Sequence, residues 1–155
     1  MPTMYINCEV PTEISEEDFD VLNGFEFSLT SDGRYLQCTS PKQYDKRRLH
    51  DIVGEWMGLI GPEIDHKDTN GFNNERTNLR SATRNQNAAN SKLSKANTTG
   101  YKGVTFSKRH NKYMAKITVN YKTIHLGYFN DPEIAYNSYC NAAIKYFGQF
   151  ANFGD

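Results

Sequence analysis

The 155-residue sequence predicts an α+β fold from three observations. Its last third strings three strand-length runs together and then one helix with clear start and stop signals. Its middle, Glu63 to Asn90, reads strand, loop, strand, helix. Its first 60 residues combine a hairpin-like stretch with one apolar-periodic helix. The last third reads as a three-stranded antiparallel sheet packed on one helix.

In chain order, the stretch FEFSLTSDGRYLQCTS carries a turn signal, Ser31-Asp32-Gly33, between two alternating runs. A helix is expected from about Arg47 to Met57. Leu49, Ile52, Val53, Trp56 and Met57 recur at helical spacing, and Gly58 marks the stop. Ile64-Asp65-His66 ends a short strand, Lys67 to Thr77 is a turn-rich loop, and Asn78 to Ala82 is a return strand. Thr83 is the expected N-cap of a helix to about Asn90. SKLSKANTT, polar with one leucine, reads as a linker over residues 91–99. GYKGVTFS, KYMAKITVN and KTIHLGYFN follow as strands, with turns at Arg109-His110-Asn111 and Asn120-Tyr121. Asp131 as N-cap and Pro132 at the first helical position start the last helix. Its expected buried stripe is Ala135, Ser138, Tyr139, Ala142, Ala143 and Tyr146, and Gly148 stops it. The predicted domains are 1–90, a linker 91–99, and 100–155, with no strong internal repeat.

No apolar run approaches the roughly 18 residues of a membrane span. The acidic start lacks a signal peptide's order. Cys8, Cys38 and Cys140 are odd in number, far apart and without a CxxC pair, so neither a disulfide framework nor a zinc ribbon is suggested. The expectation is a soluble intracellular protein with reduced thiols. Net charge is zero, but its distribution is not even. Residues 1–40 hold eight acids and one base, whereas Arg76 to Asn130 holds eleven Lys/Arg and no acid. So long a one-signed block is the footprint of a phosphate-binding surface; the plainer alternative is a solvated basic face.

Glu63 to Asn90 contains seven asparagines in 28 residues. Asparagine amides compete with the backbone for hydrogen bonds and fill helix or strand interiors poorly. Phosphodiester hydrolysis needs an activated water, a cation and a stabilised leaving oxygen. In a strand–loop–strand–helix hairpin, Asp65 and Asn87 are candidate oxygen ligands of one hard cation. His66 is the candidate general base, and Asn78 is expected to hold its other ring nitrogen. Oxygen ligands suit Mg2+ or Mn2+ better than Zn2+. Asn70, Asn73, Asn74 and Asn85 are assigned mostly to turns and surface, with Asn73 a candidate for loop support. His50 is expected either to touch DNA or to cap its helix.

The stretch IDHKDTNGFNNERTNLRSATRNQNAAN resembles the HNH, or ββα-metal, motif of phage and intron-homing endonucleases. The resemblance rests on Asp65-His66, the Asn78-Leu79-Arg80 triplet and the helical Asn87, spaced by 12 and 9 residues. RRLHDIVGEWMG resembles the helix that precedes the motif, so about residues 20–90 are covered. It implies a metal-dependent DNA endonuclease leaving 3′-hydroxyl and 5′-phosphate ends. One site cuts one strand, so a monomer nicks and a homodimer breaks both.

YKGVTF, KYMAKI, HLGYFNDPEIAYNSYCNAA and ANF resemble the AP2/ERF DNA-binding domain over residues 100–153. That implies a three-stranded antiparallel sheet, packed on one helix, which enters the major groove. By position Lys102, Thr105, Lys108, Arg109, Tyr113, Lys116 and Thr118 are implied to face double-stranded DNA, and Arg80 and Arg84 beside the hairpin are assigned with them. Lysine grips phosphate rather than reading guanine, so weak base preference is expected. Two rival expectations are a non-catalytic DNA-binding regulator with an inactive HNH hairpin and a packaging protein that uses only the basic block.

Overall fold

The computed structural model describes residues 3–6, as backbone, and 10–155. Cys8 and Glu9, which enter the thiol and acidic-start expectations, lie outside the described residues. The chain divides into two compact units, Met1–Thr83 and Arg84–Asp155.

The first unit is built on a long-range sheet that the sequence reading did not foresee. Strand β1 (Thr3–Ile6) pairs antiparallel with β2 (Val10–Ile14). Alternation along β2 sends Thr12 and Ile14 inward. Helix α1 (Glu16–Leu22) buries Asp18 and Leu22, four residues apart on one face. The expected hairpin is β3 (Glu26–Leu29) and β4 (Leu36–Ser40), turned through Asp32 and a left-handed Gly33 at φ 67°. Helix α2 (Leu49–Trp56) buries Leu49, Ile52 and Val53 as its spacing predicts, and Gly58 closes it with φ 69°. These side chains join Ile14, Leu22, Phe27, Leu36, Cys38 and Leu79 in one core. Each such burial contributes about 1.5–3 kcal/mol.

Against this core lies the Asp65–His66 hairpin, β5 (Glu63–His66) with β7 (Leu79–Ala82). Gly54 of α2 faces Ile64 of β5 so closely that a Cβ there would lie 2.8 Å from Ile64 Cγ1. The absent side chain lets the helix approach the hairpin strand. Inside the loop, a two-residue strand β6 (Asn73–Asn74) pairs parallel with β2, Glu13 opposite Asn73 and Ile14 opposite Asn74.

In the second unit, helix α3 (Arg84–Ala89) comes first. The sequence reading grouped it with the hairpin, and the structure groups it with the residues that follow. Two contacts explain this. Lys102 Nζ donates to the carbonyls of Ala89, at 2.9 Å, and Ser91, and the Asn120 N–H donates to Asn85 Oδ1 at 2.8 Å. Residues 91–99 form no regular element, yet they are tied down. Asn97 alone caps the N–H groups of Thr99 and Gly100 and donates to Tyr101 O and Val104 O.

Strands β8 (Val104–Ser107), β9 (Lys112–Val119) and β10 (Lys122–Phe129) form an antiparallel sheet in the order β10-β9-β8. Asn120 and Tyr121 turn the chain with φ 49° and 64°, the mirror-image geometry that matches strand twist. Helix α4 (Pro132–Phe147) packs on the sheet, contacting all three strands. Asp131 Oδ1 accepts from the N–H groups of Glu133 and Ile134, and Gly148 ends the helix at φ 53°. The buried stripe is Ala135, Tyr139, Ala142, Ala143 and Phe147. Tyr146 was expected there and is instead exposed; successive steps of four from Ala135 bring Phe147 onto the sheet side. Gly103 sits at φ 74° against Tyr139, whose ring would lie 2.1 Å from any Cβ. Cys38 and Cys140 are free thiols. Among the described residues no helix is long and apolar enough to cross a membrane.

Candidate active site and nucleic-acid interface

Strand register sets the first half of the site. Asp65 stands directly opposite Arg80 across the hairpin. Arg80 Nε and Nη2 both donate to Asp65 Oδ2 at 2.8 Å, and the carboxylate is buried. Arg80, expected to face DNA, therefore directs its guanidinium into the hairpin.

His66 ends β5 and is buried at 5 % exposure. The Tyr35 ring stacks on it at 6.0 Å, and the His50 ring meets it edge-on at 4.7 Å. Burial pushes the His66 imidazole below its ordinary range; the Asn74 hydrogen bond and the fields of Asp68, Asp65 and Asp51 oppose that push. His66 is thus biased to the neutral form, which can accept a proton. His50 is more extreme. Burial, and then the neighbouring His66 and Arg48, drive it down to about 3. Its 3.5 Å approach to Asp51 is consequently a contact of a neutral ring, not an ion pair. His50 is 4 % exposed, and its ring packs against those of Tyr35 and His66.

One expectation is corrected. The ring nitrogen of His66 is held by Asn74, whose Oδ1 lies 3.1 Å from Nε2, and not by Asn78. Asn78 is turned into the loop. Its Nδ2 donates to Asp68 Oδ1 and Asn73 O, and its Oδ1 accepts from the Asp68 N–H. Asp68 also accepts from the Asn70 N–H and from Asn73 Nδ2, both at 2.8 Å. The asparagine concentration thus has a physical reason: amide side chains replace the ladder bonds that a loop lacks. Asn73 supports the loop, as anticipated. Asn74, assigned to the surface, is fully buried because β6 pairs with β2. The doublet Asn73-Asn74 was the available signal, but without the N-terminal strand it could not be ranked.

The N-terminal elements clamp the far side of this loop. Thr12 Oγ1 donates to Phe72 O at 2.6 Å, and Asn74 Nδ2 donates to Thr12 Oγ1 at 3.0 Å. Arg76 donates from Nε and Nη2 to the two oxygens of buried Asp18, at 2.9 and 2.7 Å, and its N–H donates to Ser15 Oγ. The pairing with Asp18 holds the guanidinium above its usual range.

Of the two expected oxygen ligands, Asp65 lies on β5 in the first unit and Asn87 on α3 in the second. Among the described residues no three His, Cys, Asp or Glu side chains converge on one point.

In the second unit, α4 covers one sheet face and leaves the other open. Opposed residues share a face, so Thr105 with Met114, Lys116 with His125, and Thr118 with Thr123 line the outer side. Thr105, Lys116 and Thr118 are exposed, as are the turn residues Lys108 and Arg109. Two implied contacts do not reach this face. Lys102 is half-buried on the carbonyls that end α3, and burial lowers its ammonium to about 8. Tyr113 packs with the Val104–Ala115–Ala135 core on the helix side. The face also carries residues the sequence reading passed over: Tyr128 lies between His110 and His125, at 4.2 and 4.6 Å between ring centres. Alternation along β10 opposite Met114 and Lys116 was the signal for Tyr128 and His125. A cleft of about 300 Å3 nearby has Arg84, Lys102 and Lys116 on its lining and Ala88, Ile117, Tyr139 and Phe147 among its apolar walls.

No family model matches the chain, and no solved structure matches it. A curated protein does: Protein 3.8 of Escherichia phage T7 is 36 % identical over 89 residues, which span 54 % of this chain and 72 % of that one.

Proposed function

The chain belongs to the family of that phage protein, and we propose that it is a metal-dependent DNA endonuclease with its nuclease centre at Asp65 and His66. The observation that carries this reading is the buried His66 imidazole, biased to neutrality and held by Asn74 beside the Asp65 carboxylate. A neutral imidazole fixed by a hydrogen bond is a competent general base near neutral pH.

His66 takes a proton from a water molecule, and the resulting hydroxide attacks the phosphorus. The P–O3′ bond breaks and the departing O3′ takes a proton from solvent water, leaving 3′-hydroxyl and 5′-phosphate ends. A Mg2+ or Mn2+ ion held by Asp65 would offset the charge that develops on the phosphate and leaving oxygen. Arg80 fixes the Asp65 carboxylate by two hydrogen bonds to one oxygen. The Asp68–Asn73–Asn78 network keeps the loop from drifting out of register with the base. The outer sheet face of the second unit grips duplex DNA through Lys116, Lys108, Arg109, Thr105 and Thr118, with Tyr128, His110 and His125 as additional contacts. Its lysines favour backbone over base readout.

The test is nicking of supercoiled plasmid by the full chain with Mg2+, with Mn2+ and with EDTA. Cleavage that needs the cation and disappears in His66→Ala supports the reading. Duplex binding without cleavage in either metal sinks it. One observation favours that second outcome, a DNA-binding regulator: Asp65 Oδ2 already accepts two bonds from Arg80.

A further inference from the structure

A buried chain of hydrogen bonds runs from the N-terminal strand to the His66 ring, and its directions are fixed by chemistry. Phe72 O can only accept, so the Thr12 hydroxyl is the donor in their 2.6 Å contact. With its hydrogen engaged, Thr12 Oγ1 meets Asn74 Nδ2 with a lone pair at 3.0 Å. Gly71 O, 3.5 Å from the same Nδ2, is also an acceptor only. Both neighbours therefore demand the NH2 end of the Asn74 amide. Its Oδ1 must then face His66 Nε2, where it lies at 3.1 Å. An amide oxygen cannot donate, and a neutral imidazole has one N–H, so that hydrogen sits on Nε2.

We propose that Thr12 is a positioning residue that selects the Nε2–H tautomer of His66 and makes Nδ1 the nitrogen that takes the proton. The assignment of Nδ1 as base rests on the nuclease reading; the tautomer does not. Reversing the Asn74 amide would set its oxygen against Gly71 O and its NH2 against Nε2, moving the ring hydrogen to Nδ1. Thr12, Asn74 and His66 are all buried, at 1 %, 0 % and 5 % exposure. No bulk water compensates such a reversal, and leaving buried polar groups unpaired is costly. The N-terminal strand thereby has a task at the reacting group, although it lies far from the HNH-like stretch in sequence.

The test uses 15N-histidine-labelled full chain in EDTA and without DNA, read by ring-nitrogen NMR. A His66→Gln spectrum identifies which ring is His66. Wild type should show the Nε2–H form; a ring in the Nδ1–H form overturns the proposal whatever the variants do. Thr12→Val keeps the shape and removes the hydroxyl. It should shift the tautomer ratio by about fivefold, the worth of one hydrogen bond, and Thr12→Ser should restore it. A folded Thr12→Val chain with the wild-type ratio also overturns it. A second arm measures plasmid cleavage with Mg2+. Thr12→Val should lower kcat by a similar factor with KM unchanged, and Thr12→Ser should recover it. A kcat equal to wild type, with the tautomer shifted, removes Nδ1 as the base. If wild type shows the relay and cuts nothing, the tautomer selection stands and the nuclease reading falls.

Discussion

Of the eight described polar or charged residues that are buried, seven lie in Met1–Thr83 and one, Asn90, in Arg84–Asp155. The first unit encloses Thr12, Asp18, His50, Asp65, His66, Asn74 and Asn78, each with a partner. The second encloses alanines, Val104, Ile117 and aromatic rings, and puts lysines, threonines and a His–Tyr–His strip outside. Burial immobilises a group and shifts its proton affinity, which suits chemistry. Exposure keeps a group available to a long charged polymer, which suits gripping. The two units thus treat polarity in opposite ways, and each can be tested without touching the other.

The largest break in this contrast comes from His66→Ala. Cleavage should fall by ~10²–10⁴, the usual worth of a general base, while duplex affinity in a gel-shift titration stays as it was. Equal losses in both would mean that the unit inside and the unit outside are not separable.

Next is the Asp18–Arg76 pair. Arg76→Ala leaves a buried carboxylate without its guanidinium. Complete burial would put the cost near 3–5 kcal/mol. The Arg76 side chain is 28 % exposed, so about 2–3 kcal/mol is expected. The chain has one tryptophan, Trp56, in the first unit. Its fluorescence during urea unfolding isolates that unit's stability.

The same fluorescence sharpens the contrast with pH. His50 is held at about 3 and His66 below its ordinary value, both mainly by burial. The unfolded chain therefore binds protons that the folded chain refuses. Stability of the first unit should be full above about 6.5 and fall as pH drops toward 3, by about 1.4 kcal/mol per pH unit for each proton taken up. Asp51, raised by burial, acts with the opposite sign at the acid end. His50→Leu should flatten the acid limb; an unchanged slope assigns it to other groups.

The smallest effect belongs to the outer face. Lys116→Ala should weaken duplex binding evenly across sequences and reduce the salt slope by about 0.9, one phosphate contact. Cleavage at saturating DNA should be unchanged.

How much of this was legible in the sequence follows the range of the interactions. Asp131, Pro132 and Gly148 are local signals, and the last helix lies where they put it. The hairpin that carries Asp65 and His66 was legible from pattern and spacing. Asn74 was not, because its burial depends on β6 pairing with a strand some 60 residues earlier in the chain, Ile14 opposite Asn74. Lys102 was misplaced for the same reason. Its position in a strand-like run implied an exposed cation, whereas its ammonium reaches back to the carbonyls of Ala89 and Ser91. Tyr113 was misplaced by face alone, one residue out of phase with Met114 and Lys116.

That reach of Lys102 decides where the chain can be divided. A fragment that starts at Gly100, where the AP2-like resemblance begins, would retain a half-buried ammonium and lose both carbonyls that receive it. It would also lose Asn85, which accepts from the Asn120 turn, and Asn97, which ties Tyr101 and Val104. Starting at Arg84 keeps all of them. The helix that reads as the tail of one motif is, for anyone isolating the other, its first indispensable piece.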